Sequence, residues 1–170
     1  MPKIIVNYVN FVEGLNRKVG RAAMYLVFVM MAVLLYSAVS RSLFNTPLIW
    51  SMEVAQFTMA AYYLLGGGYT LQNNAHVRMD LLYERWAPKK QAFVNTITAC
   101  CLIFYLCILL YGAYSSTEYA LEYEQKNYSS WGPPMAPIKI IMSFGIFLML
   151  LQAVAIFFRD LAAALGKDLP

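Results

Sequence analysis

The sequence predicts an all-α integral membrane protein of four transmembrane helices with short amphipathic interfacial helices, both termini facing the cytoplasm. Three observations predict it. Four stretches, Ala22 to Ser40, Val54 to Gln72, Gln91 to Thr117 and Ile140 to Phe158, contain no Asp, Glu, Lys or Arg. Crossing a hydrocarbon core takes about 20 helical residues, and continuous apolar runs select helices over the alternating strands of a barrel. Composition agrees, with 61% hydrophobic and 13% charged residues against about 25% charged in soluble domains. The basic residues are also unevenly shared. The N-terminal segment (Lys3, Arg17, Lys18, Arg21), the middle connection (Arg78, Arg85, Lys89, Lys90) and the tail (Arg159, Lys167) hold ten, whereas the other two connections hold Arg41, Lys126 and Lys139. Positive charge favours the cytoplasmic side. The four spans leave no room for a soluble domain of ordinary size, so residues 1–170 read as one membrane domain.

Residues 1–21 read as a cytoplasmic interfacial segment. Ile5, Tyr8, Val9, Val12, Leu15 and Val19 recur near helical spacing and basic residues gather at the end, as in a helix on a membrane surface. A basic flank of 21 residues without a following Ala-x-Ala suits an uncleaved anchor better than a signal peptide.

The first outer connection contains Arg41, Pro47, Trp50, Ser51 and Glu53. Pro47 stops the preceding helix, Ser51 is placed to cap the next, and Trp50 suits the interface. Glu53 has a structural reading beside the positive end of the second helix; the alternative is an ion pair with Arg41 or with a partner's Arg. The second span ends in Gly66-Gly67-Gly68, which weakens a helix in water by about 1 kcal/mol per glycine but permits close helix approach. Beyond it, Val77, Leu81, Leu82 and Trp86 outline a short surface helix stopped by Pro88.

His76 is the only histidine, so a paired-histidine haem site is excluded, and no metal-ligand spacing surrounds it. No cofactor, metal, enzymatic activity or nucleic-acid partner is expected. Cys100, Cys101 and Cys107 read as small apolar packing residues. The third span can continue as helix through Glu118 and Glu122 to Lys126, about 54 Å from Gln91. Glu118, Glu122, Glu124, Tyr128 and Trp131 then form an acidic, aromatic stretch, read either as a docking surface or as solvated charge beside an aromatic belt. Pro133, Pro134 and Pro137 redirect the chain. Ser143, Gly145 and Gln152 are candidate interhelical contacts on the last span, with Gln56, Asn95 and Thr98 elsewhere.

With these motifs in order, the chain resembles the small membrane subunit (DctQ type) of tripartite ATP-independent periplasmic, or TRAP, transporters. The resemblance covers essentially the whole chain. It is carried by Arg41…Phe44…Pro47-Leu48-x-Trp50-x-x-Glu53, by Leu65-Gly66-Gly67-Gly68-Tyr69 and by His76-Val77-Arg78-Met79-Asp80, with the Trp131-Gly-Pro-Pro turn in support. It implies a bacterial inner-membrane assembly that imports organic anions with sodium. Its implied partners are a large membrane subunit (DctM type), which carries substrate and sodium, and a periplasmic substrate-binding protein, in addition to membrane lipid. The small subunit would act as a fixed scaffold, and His76, Arg78 and Asp80 would be structural or interfacial.

Uncharged spans fit a scaffold better than a proton-coupled exporter, which needs a membrane-embedded carboxylate. A stand-alone structural four-helix protein, or a membrane anchor of another complex, is the alternative.

Overall fold

The computed structural model describes residues 3–73 and 88–164, which form four α-helices: α1 Lys3–Phe44, α2 Ser51–Gln72, α3 Pro88–Glu122 and α4 Ala136–Ala164. At 1.5 Å per residue they measure about 63, 33, 52 and 44 Å. No strand occurs among the described residues, apart from one isolated bridge between Lys126 and Pro134. In space the order is α1, α2, α4, α3: α4 packs against all three others, and α2 lies between α1 and α4.

Three helical segments, Ile5–Phe44, Val94–Glu122 and Ala136–Ala162, are long and apolar enough to cross a membrane. Helix α2, which lies between α1 and α4 and accommodates Glu53, Gln56, two adjacent tyrosines and three glycines, is not among these three. Large apolar side chains on α1 and α3 point outward, among them Phe28, Leu35, Phe104, Ile108 and Tyr111. So much exposed apolar surface belongs to a chain solvated by lipid or covered by another subunit.

The N-terminal segment departs from the expectation of a separate surface helix, because it is continuous with the first span in α1. Its apolar stripe is occupied within the chain: Val9 and Val12 are buried against Ala155, with Ile5, Tyr8 and Leu151 around them. The Tyr8 hydroxyl donates to the Leu151 carbonyl at 3.2 Å. Packing on α4 thus takes the place of packing on headgroups.

Helix α1 ends before Asn45, whose φ of 50° lies in the left-handed region that Asn tolerates. The α1–α2 corner is held by the paired hydroxyls of Ser37 and Ser51, 2.8 Å apart. Ser51 does not cap α2. The residue at that position is Trp50, without a side-chain cap bond, and the Ser51 hydroxyl instead donates to Leu48 O.

Helix α3 does continue past Thr117, as far as Glu122, where Glu124 turns the chain at φ 44°. It packs on α4 around Leu106, Ala113, Ile146 and Ala153. Thr117 and Ser143 share a 2.9 Å hydroxyl contact across that seam. The cysteines correct their assignment as packing residues: Cys100, Cys101 and Cys107 are free and exposed, on helix faces turned away from the core.

The α3–α4 connection is a small ordered hairpin. Asn127 N–H donates to Pro133 O at 3.0 Å and Met135 N–H to Gln125 O at 2.9 Å. Lys139 binds it from α4, donating to Gln125 Oε1 at 2.7 Å and to Ser116 O at 3.2 Å.

Candidate subunit interfaces

Two groups of residues stand out, one inside the bundle and one at the α3–α4 loop. Inside, the three glycines of α2 divide their roles. A methyl group at Gly67 would collide with the Met149 sulfur of α4, and one at Gly68 would lie 2.5 Å from Asn16 Oδ1 of α1. Around Gly66 there is open space. Two of the three therefore serve contacts within the chain, and Gly66 borders a groove of about 590 Å³ that also reaches Gly20, Tyr62, Tyr63 and Met149. Two further glycines matter as much. A methyl at Gly145 would meet Leu64 O of α2 at 2.7 Å, and one at Gly20 would meet the Tyr69 side chain at 2.5 Å. These positions are where backbones approach closely.

Above Gly68, Asn16 Nδ2 donates to Gln152 Oε1 at 2.8 Å, and both side chains are buried. Farther along, Arg159 pairs with Glu13 at 2.8 Å. Ser143, Gly145 and Gln152 thus all make interhelical contacts. Thr98 does not, since its hydroxyl donates to Val94 O in its own helix, and Gln56 is exposed. Asn16, Glu13 and Arg159 escaped the sequence reading as a set. The available signal was an Asn four residues after Val12 on the same apolar stripe.

Arg41 lies exposed in the last turn of α1, where a cation suits the negative helix end. Glu53 is 7% exposed in the first turn of α2, and its Oε2 has no partner among the described residues. No ion pair joins it to Arg41 among the described residues. His76, Arg78 and Asp80, together with the expected surface helix from Val77 to Trp86, lie outside the described residues.

The acidic stretch proves to be two places. Glu118 and Glu122 sit on one stripe of α3 with Tyr114, Thr117 and Leu121, lining one recess. Glu124 lines a different recess with Tyr119, Tyr123 and the hairpin residues 125–128. Tyr128 is fully exposed at the hairpin tip, and Trp131 is 48% exposed. Helix geometry separates them, because the chain leaves α3 between Glu122 and Glu124.

The sequence model of the DctQ component of tripartite ATP-independent periplasmic transporters matches residues 30–163, well over half of the chain. The chain belongs to the DctQ family. DctQ components are transport subunits rather than enzymes, and this one, with its apolar helices, is a multi-pass membrane protein. It is also similar to the sialic acid TRAP transporter permease protein SiaT of Haemophilus influenzae (strain 86-028NP), with 30% identity over 101 residues. That match covers 59% of this DctQ chain and 16% of the relative's length. This chain therefore corresponds to a small part of that permease.

Proposed function

We propose that this DctQ subunit is the stationary small permease subunit of a sodium-coupled TRAP transporter that imports an organic anion across a bacterial inner membrane. Substrate and sodium bind in a separate large membrane subunit. The observation that carries this reading is the absence of any charged residue from all four predicted spans, since coupled movement of ions and anions calls for polar or ionisable groups at membrane depth.

The internal contacts support a rigid role. Helix α4 is held to α1 by Asn16–Gln152 and Glu13–Arg159, and to α2 through Gly145. The outward apolar faces of α1 and α3 offer surface to lipid and to the large subunit. In this reading α2 is the second of four spans, screened by α1 and α4, and both termini face the cytoplasm by the charge distribution. The periplasmic face then carries the α1–α2 corner and the α3–α4 hairpin. The substrate-binding protein docks at the hairpin, through Glu124, Tyr128 and Trp131. Sialic acid, named for the relative, is one candidate among the organic anions, and selection lies with the partners.

The test is sodium-driven uptake in liposomes by the large subunit with and without this chain. Uptake that requires the chain supports the scaffold role. Full uptake by the large subunit alone would sink it.

A further inference from the structure

We propose that the groove between α3 and α4 binds one phospholipid with a primary ammonium headgroup, phosphatidylethanolamine, with its ammonium at Glu118 and Glu122 and one acyl chain between the helices. Cys107, Tyr111, Tyr114, Glu118 and Glu122 recur at three- and four-residue intervals, which places them on one stripe of α3. Against the lower part of that stripe stand Phe144 and Phe147 of α4, and together they border an apolar groove of about 620 Å³. Tyr114 lines both this groove and the next recess along the stripe, of about 560 Å³, which is lined by Thr117, Glu118 and Glu122. From Cys107 to Glu122 the stripe rises about 22 Å. Polarity thus changes in one direction, from apolar walls to carboxylates, as it does along a phospholipid from tail to head.

The charge selects the headgroup. Neither Glu118 nor Glu122 is in an ion pair among the described residues, and no basic side chain lines their recess. The neighbouring ammonium, Lys139, is engaged by Gln125 and Ser116. An anionic headgroup would meet like charge there, whereas a primary ammonium can donate to both carboxylates. Tyr111 and Tyr114 are 78% and 66% exposed, so the groove opens outward and membrane lipid enters without displacing any part of the chain. The site is independent of the transporter reading. It also leaves the Glu124 recess to other partners.

The test uses the full chain purified in detergent, stripped of lipid, then exposed to equal amounts of phosphatidylethanolamine and phosphatidylglycerol. Bound lipid is read by native mass spectrometry. The expected result is a preference for phosphatidylethanolamine of up to about fivefold, the upper end of what one exposed ion pair supplies. The preference should fall to parity in the Glu118→Gln, Glu122→Gln double variant, which keeps the apolar groove. Cys107→Trp, filling the groove, should remove retained lipid while circular dichroism reports unchanged helicity. Equal retention of the two lipids by the wild-type chain overturns the proposal, as does unchanged retention in folded Cys107→Trp. A photo-crosslinking amino acid in place of Phe144 gives a second readout in cells. An adduct with phospholipid supports the site, and an adduct with a protein chain assigns the groove to a subunit helix instead.

Discussion

Asn16 and Gln152, 136 positions apart in sequence, share a 2.8 Å hydrogen bond between buried side chains. Gly68 makes room for it, and the bond holds the N-terminal part of α1 to α4 where a membrane-surface helix was expected. Interhelical hydrogen bonds in membranes average about 0.6 kcal/mol and reach about 1.7 kcal/mol in double-mutant cycles. Asn16→Ala and Gln152→Ala should each destabilise the chain by about 1–2 kcal/mol, because each leaves the other amide buried without its partner. The double variant should fall short of their sum by the coupling energy. Reversible unfolding in mixed micelles measures all three, and strict additivity would contradict the bond.

The glycines should rank by what surrounds them. Gly145→Ala places a methyl 2.7 Å from the Leu64 carbonyl oxygen, a backbone atom that cannot move without shifting α2. Overpacking of this kind costs about 1–3 kcal/mol. Gly68→Ala meets the Asn16 amide and should cost less, by displacing one hydrogen-bonded side chain. Gly66→Ala meets open space and should stabilise the isolated chain by up to about 1 kcal/mol through helix propensity. Thermal midpoints of the purified variants give the ranking. A Gly66→Ala variant less stable than Gly145→Ala would refute it.

Helix existence was legible because charge-free apolar runs of this length admit few alternatives, and helix α3 was legible past Thr117 because nothing breaks it before Tyr123. The fate of the N-terminal stripe was not. Periodicity exposed Val9 and Val12 as one face, but whether such a face meets headgroups or a helix depends on a partner surface, Leu151 to Ala155, far away in sequence. The same limit hid the Glu13–Arg159 pair, since Arg159 read only as a cytoplasmic charge and nothing local in the sequence points from it to Glu13. Ser51 was misplaced by one residue because Trp50 already adopts helical angles, φ −77° and ψ −19°. Glu118, Glu122 and Glu124 looked like one patch because sequence proximity does not register the turn at Glu124. The glycine run read as close packing throughout, whereas only Gly67 and Gly68 face close neighbours and Gly66 faces open space, a division that needed the neighbours' coordinates.

Glu13→Gln should have a small effect. The Arg159 side chain in that pair is 44% exposed, and exposed ion pairs contribute about 0.2–1 kcal/mol. Raising the salt concentration from about 0.1 M to about 1 M shortens the screening length from about 10 Å to about 3 Å, so the difference between wild type and variant should vanish. A salt-independent loss would mean that Glu13 acts by packing rather than charge.

Lys139 ties the α3–α4 hairpin to both helices through Gln125 Oε1 and the Ser116 carbonyl. Lys139→Met keeps the side chain's length and removes the donors. Hydrogen exchange at the backbone amides of Asn127 and Met135, both bonded across the hairpin, should then accelerate about tenfold, as loss of charge-assisted bonds worth about 1.5–3 kcal/mol would allow. Helices α1 and α2 should exchange as before. If the hairpin also presents Glu124, Tyr128 and Trp131 to a binding protein, its loosening should lower binding-protein-dependent uptake while assembly with the large subunit is unchanged. The Tyr128→Ala variant separates the two effects. It removes the exposed tip without touching the Lys139 contacts, so uptake should fall with amide exchange unaltered. Wild-type uptake in both variants would remove the hairpin from the docking surface.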